Sequence, residues 1–195
     1  TPGASATLLA VQALRHVGLE PGRDVSILPM GGTAAGRLAV LESGAVDASL
    51  LSVPENIFAR EKGFNELLFL GDVVEFAQAG FGATEKRIKE NPDEVYRMVR
   101  AELRALQYLL DKSRLGEIVD LVMKRWKLSD RKMAEAIFND VSRVLAKDGA
   151  ISNESVQLLV DLARESAEVT RPIKVAEVVD YSFLEKARRE LGFLK

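Results

Sequence analysis

The side chains best suited to chemistry are hydroxyls, glycines and one carboxylate at three predicted helix starts. Backbone amides at a helix start are free to bind an anion, and serine or threonine hydroxyls add directional donors. Adjacent glycines let the backbone approach a ligand closely. These features predict a site for a small polar or anionic solute, formed by Ser5, Thr7, Gly31, Gly32, Thr33, Ser52 and Glu55.

The same residues also have a purely structural interpretation. Serine and threonine are among the residue types that most often cap helices. Glu55 follows Ser52 by three positions and fits a capping box, in which both side chains satisfy backbone amides. Arg37, one turn into the second predicted helix, either neutralises a bound anion or lies in solvent. The sequence leaves both interpretations open.

The residue inventory favours a protein that is not an enzyme. The 195 residues contain no cysteine and a single histidine, His16. Thiolate nucleophiles, iron–sulfur clusters and sites that need two imidazoles are therefore excluded. No nucleophile and base occur at a recognisable spacing. We predict no catalytic residues, no metal ligands and no cofactor.

Charge and hydropathy argue against nucleic acid as a partner and against a membrane-spanning segment. Lys and Arg number 27 against 29 for Asp and Glu, so no global positive field would recruit nucleic acid. No run of about 18 apolar residues occurs, which predicts that no segment crosses a membrane. The chain begins at Thr1 without a recognisable signal peptide, and we expect that processing or trimming removed the true start.

The elements that must position the predicted site lie in the first of two predicted domains, 1–75 and 76–195. In the first domain, short apolar runs at 25–28, 46–51 and 66–70 are typical of strands and alternate with helices near 5–17, 33–43 and 52–62. Such alternation favours βαβ units with a parallel sheet. The strand ends would bring the three helix starts to one sheet edge. We therefore expect an α/β fold.

The second domain is predicted to be mainly helical after a crossover strand at 73–82. Asn91 and Pro92 mark a helix start, and a long helix follows with apolar residues on one face. Further helices are predicted near 114–126, 130–146, 153–168 and 182–191, with Ser129 and Ser152 as N-caps. Trp126 is assigned to the core because tryptophan buries a large apolar area.

Seven segments in order resemble a known family. They are 3–7, 18–25, 31–33, 41–48, 54–55, 83–86 and 90–92. In these segments the chain resembles the substrate-binding proteins of the nitrate/sulfonate/taurine class of ABC importers, which have the type II periplasmic-binding-protein fold. The resemblance implies that 1–75 form the second lobe of that fold. The rest would supply a crossover strand and the helical part of the first lobe, whose N-terminal portion is absent.

The resemblance also implies a function. It predicts a periplasmic or extracellular protein that binds a small polar or anionic solute and delivers it to the membrane subunits of an ABC importer. Because the first lobe is incomplete, the apolar face with Val95, Val99 and Leu103 would need a partner, which suggests a homo-oligomer. The alternative is a truncated or helical interaction module that binds no ligand.

Overall fold

The computed structural model describes residues 5–28, 32–76 and 79–193, and its regular structure in these ranges is helical. Short 3-10 helices lie at Leu70–Asp72, Lys112–Arg114 and Val175–Glu177. The α-helices in these ranges are α1 (Ser5–His16), α2 (Ala34–Glu42), α3 (Glu55–Glu61), α4 (Glu85–Glu90), α5 (Pro92–Leu110), α6 (Leu115–Trp126), α7 (Arg131–Val144), α8 (Asn153–Ser166) and α9 (Ser182–Glu190).

The predicted α/β fold with a βαβ lobe is wrong, because the described residues contain no strand. Their only β-type pairing is an isolated bridge between Pro21 and Val25. The apolar side chains of the predicted strands are not gathered on a buried face: Leu28 is 59% exposed and Leu67 is 81% exposed. A short strand is stable only when it pairs and buries one face. These segments instead form loops and the 3-10 helix at Leu70–Asp72.

The chain divides into two compact units. Unit 1 comprises Thr1–Glu75 and Asp161–Arg171, and unit 2 comprises Phe76–Val160 and Pro172–Lys195. In unit 1, α2 and α3 pack against each other. Their buried side chains are Leu38, Ile57 and Ala59, and Leu9 of α1 is also buried. A salt bridge of 2.7 Å joins Lys62 Nζ to Glu42 Oε1.

One half of unit 2 is built on the packing of α5 against α9. Leu103 of α5 is buried with Leu184 and Ala187 of α9, and Val99 packs against this cluster. The apolar face of α5 therefore has its partner within the chain. This removes the reason for expecting a homo-oligomer through that face.

The other half of unit 2 is the pair α6 and α7. Ile118 and Val119 of α6 and Ala134 and Ile137 of α7 are almost completely buried. Arg131 ties the start of α7 to α6, since its Nη1 lies 2.6 Å from Asp120 Oδ1. The loop between the two helices ends in a cap, as the Asp130 carboxylate accepts hydrogen bonds from the amides of Lys132 and Met133.

A charged cluster at the edge of the α5–α9 contact predicts a pH dependence. Glu190 accepts hydrogen bonds from the Tyr96 hydroxyl and from Arg100 Nε, and these bonds lower the pKa of Glu190 below its ordinary value of 4.5. A carboxylate with a lowered pKa stabilises the fold above its ordinary pKa, and this contribution is lost as the pH falls through the folded-state value. We therefore expect unit 2 to lose stability on acidification in part through Glu190.

The measurement is the urea midpoint of the full chain at a series of values between about pH 6 and about pH 3, for the parent and for Glu190→Gln. The variant should show a shallower decline of the midpoint with falling pH than the parent. Parallel declines in the two proteins would contradict the prediction.

Candidate functional site

The structure does not gather the predicted solute-binding residues at one place. Ser5 begins α1 and Thr7 lies within it, whereas Gly31 falls outside the described residues. Gly32 has a φ of +117°, a conformation that favours glycine. Thr33 caps α2, because its hydroxyl accepts a hydrogen bond of 3.2 Å from the Gly36 amide. Thr33 thus has the structural role that the sequence left open.

The start of α3 differs from its prediction. Pro54 occupies the N-cap position and Glu55 is the first helical residue, so Ser52 and Glu55 do not form a capping box. The Ser52 carbonyl accepts a hydrogen bond of 3.1 Å from the Asn56 amide. Arg37 Nε donates a 2.8 Å hydrogen bond to the Leu50 carbonyl, which gives this cation a structural partner.

The physical basis for a site at these helix starts was the common edge of a parallel sheet. In the described residues there is no sheet, and only α2 and α3 among the three helices pack closely together. The solute-binding role of the seven residues stays a prediction. The structure offers a better-formed candidate in unit 2.

This candidate is a groove along α6, closed on its sides by α7 and the end of α5. The smaller part, beside Trp126, encloses about 230 Å³. Apart from Arg125, the residues that line this part are all apolar: Leu109, Ile118, Leu121, Val122, Trp126, Ile137, Phe138, Val141 and Leu145. A second hollow shares Leu109 and Phe138 with the first and continues past Lys112 and Leu115. We call the two hollows together the α6 groove.

Trp126 shows why the groove is open. The sequence assigned this residue to the core, but the structure leaves it 42% exposed, so that assignment is wrong. Trp126 is the last residue of α6, and Lys127 after it adopts a left-handed conformation with φ of 55°. The helix ends here, and the Leu128 amide donates a 2.9 Å hydrogen bond to the Met123 carbonyl.

A polar cluster fixes the opposite end of the groove. The Tyr108 hydroxyl donates a 2.6 Å hydrogen bond to Glu117, and the Arg114 guanidinium lies 4.9 Å from the centre of the Tyr108 ring. The hydrogen bond to the carboxylate raises the pKa of Tyr108. Asp111 accepts hydrogen bonds from the hydroxyl and amide of Ser113, which lower its pKa. These bonds hold the segment before α6 in place.

The hollow beside Trp126 has the properties of a binding surface. Arg125 is the one charged residue among those that line this hollow. Within the described ranges, no cluster of three or more His, Cys, Asp or Glu side chains could bind a metal ion. No described helix is long and apolar enough to cross a membrane.

Comparisons with known proteins give no family for this chain. No family model, curated protein or solved structure matches it. The resemblance to the substrate-binding proteins of ABC importers is therefore a misidentification, because the family has two α/β lobes and the described residues form no sheet. Among the described residues of the segments that suggested it, Thr33 and Thr84 are helix caps, and Gly18, Gly22 and Gly44 have positive φ.

The width of the apolar face of α6 is a sequence signal for the α6 groove. Leu115, Ile118, Val119, Leu121, Val122 and Trp126 spread apolar side chains over an arc of about 160° of α6, at about 100° per residue. A helix that packs on one neighbour needs an apolar stripe about 100° wide. The wider face of α6 indicates a second contact. In the structure α7 packs on α6 and Ile118 and Val119 are buried, whereas Leu121 remains 54% exposed.

Proposed function

We propose that this chain is a non-enzymatic interaction module whose α6 groove binds an apolar helical segment of another protein. The observation that carries the proposal is the apolar lining of the hollow beside Trp126, whose indole is exposed. Exposed apolar patches of this kind mark binding surfaces in soluble proteins, and tryptophan is enriched among the residues that dominate binding energy.

The shape of the groove favours a helix over a small solute. A solute site needs several convergent polar groups to fix its ligand, whereas the hollow beside Trp126 offers Arg125 alone. The polar residues Asp111, Lys112, Asn139 and Ser142 line only the other hollow. The groove follows α6, whose 12 residues correspond to a length of about 18 Å. A partner helix of about three turns, with apolar residues at positions i, i+3 or i+4, and i+7, fits this length.

This proposal takes up the alternative that the sequence left open, a helical interaction module. Solute delivery to an ABC importer and a periplasmic location depended on the family resemblance and lose their basis with it. The seven residues at the helix starts of unit 1 are not needed for the proposed activity.

The test uses Trp126, the only tryptophan in the chain, as an intrinsic reporter. The probe is a neutral synthetic helix of about 12 residues with leucine at the anchor positions and glutamine elsewhere. Its addition to the full chain should shift the Trp126 emission to the blue, with saturation, because the indole becomes buried.

Two matched variants locate the binding surface. Leu121 lines the groove, Val144 lies on α7 away from its lining, and both side chains are 54% exposed. Leu121 is already about half-buried, so burying the rest of its side chain is worth about 0.8–1.6 kcal/mol, and Leu121→Gln should weaken binding roughly fourfold to fifteenfold. Val144→Gln should bind like the parent. A chain whose emission does not respond, or equal effects of the two variants, would refute the proposal.

A further inference from the structure

We infer that the α6 groove selects a partner helix that carries acidic residues near both ends. This inference rests on the proposed function and adds the charge of the partner. Three charged residues line the groove: Arg125, Lys112 and Asp111. The two cations lie at opposite ends of it, since Lys112 precedes α6 and Arg125 lies in its last turn.

The carboxylates along the groove are already engaged within the chain. Asp111 accepts two hydrogen bonds from Ser113, of 3.0 and 2.6 Å, and pairs with Arg114 at 3.3 Å. Glu117 accepts the hydrogen bond from Tyr108 and also pairs with Arg114. Farther along α6, Asp120 pairs with Arg131 at 2.6 Å. These contacts leave little negative charge to oppose an acidic partner.

The cations at the two ends of the groove have no such partners. In the described part of the chain, no ion pair and no side-chain hydrogen bond involves Lys112, Lys124, Arg125 or Lys127. Lys124, Arg125 and Lys127 are neighbours of Trp126 in the sequence, at the end of α6. The hollow beside Trp126 is therefore apolar apart from Arg125, and each end of the groove carries one cation that pairs with no described side chain. Electrostatic complementarity then favours a partner with carboxylates at both ends.

Two other occupants fit these observations less well. In a symmetric dimer through the groove, each protomer would place its own unpaired cations against those of its partner. A lipid surface favours a helix that projects its apolar side chains outward, whereas here the apolar side chains line a hollow. We therefore commit to an acidic amphipathic helix of a partner protein.

The experiment compares three synthetic helices with identical leucine anchors. Their two terminal turns carry glutamate, glutamine or lysine, and binding to the full chain is followed by Trp126 emission. At about 50 mM salt the glutamate helix should bind roughly threefold to tenfold more tightly than the glutamine helix, and the lysine helix more weakly than either. At about 500 mM salt the three affinities should converge.

A double variant assigns the preference to the groove cations. In Lys112→Gln with Arg125→Gln, the ratio between the affinities for the glutamate and glutamine helices should fall to about one. The ratio is the readout because any loss of packing affects both helices alike. Lys86→Gln is the control, since Lys86 is an exposed cation of α4 in the same unit. It should leave the ratio unchanged.

The contrary results distinguish the charge preference, the proposed function and the occupant of the groove. Equal binding of the glutamate and glutamine helices refutes the inference and leaves the proposed function standing. Failure of all three helices to bind refutes both. A blue shift with phosphatidylcholine–phosphatidylserine vesicles but not with the helices would establish a lipid surface instead. A dimer in sedimentation that Leu121→Gln dissociates would establish a second copy as the occupant.

Discussion

Truncation of Ile137 to alanine should destabilise unit 2 by about 2–5 kcal/mol, the range typical of removing a fully buried isoleucine side chain. Ile137 is completely buried in α7 and also lines the α6 groove. Its side chain therefore supports the packing of α6 on α7 and the floor on which a partner would lie. The loss combines the transfer free energy of the missing methyl groups with the cost of the cavity they leave.

Urea unfolding followed by Trp126 fluorescence measures this loss, because the indole lies in unit 2. A two-unit chain need not unfold in one step, so a reporter within the affected unit is required. Val144→Ala is the control on the same helix, and it should change the free energy of unfolding by no more than about 0.5 kcal/mol. A loss below about 1 kcal/mol for Ile137→Ala would mean that α6 and α7 are not packed as described.

The helices of the second half of the chain could be predicted because their signals are local. The apolar positions from Val95 to Leu110 recur at helical spacing, and the observed α5 begins at Pro92 and ends at Leu110. The caps were predicted less well. Ser152 does accept a hydrogen bond from the Ser155 amide, at 3.1 Å, as expected. Asp130 caps α7 in place of Ser129, and the side chain of Asn91 makes no cap bond.

The strands of the first half could not be predicted reliably because a short apolar run does not specify its partners. The run at 46–51 has the length and composition of a buried strand. A strand forms only if another segment pairs with it and a second layer covers it. Neither condition can be established from a single run. In the structure, Leu50 of this run instead accepts a hydrogen bond from Arg37 of α2.

The candidate site illustrates the same difference between local and tertiary information. Thr33 could be recognised at a helix start, but its function there is to cap α2. The α6 groove depends on which part of an apolar face its neighbours leave uncovered. Residue type alone placed Trp126 in the core, whereas its position at the end of α6 leaves it exposed. Residue type does not distinguish the buried Ile118 from the exposed Leu121, since both are large apolar residues of α6.

A second large effect is expected at the turn between α7 and α8. Gly149 has a φ of +82°, which strains any residue with a Cβ. A Cβ at this position would lie 3.2 Å from Leu184 Cδ1 and 3.3 Å from Leu103 Cδ1. Both leucines belong to the buried cluster between α5 and α9, so they have little room to move.

Gly149→Ala should therefore destabilise unit 2 by about 2–4 kcal/mol, the sum of about 1 kcal/mol for the strained φ and about 1–3 kcal/mol for overpacking.

Gly192→Ala separates the two contributions. Gly192 has a similar φ of +78°, but nothing lies within 4 Å of its Cβ position. This control should therefore lose only the conformational part, about 1 kcal/mol. Urea midpoints from Trp126 fluorescence and circular dichroism give both values. Equal losses in the two variants would show that Leu103 and Leu184 do not close over the turn as described, because crowding at Gly149 would then cost nothing.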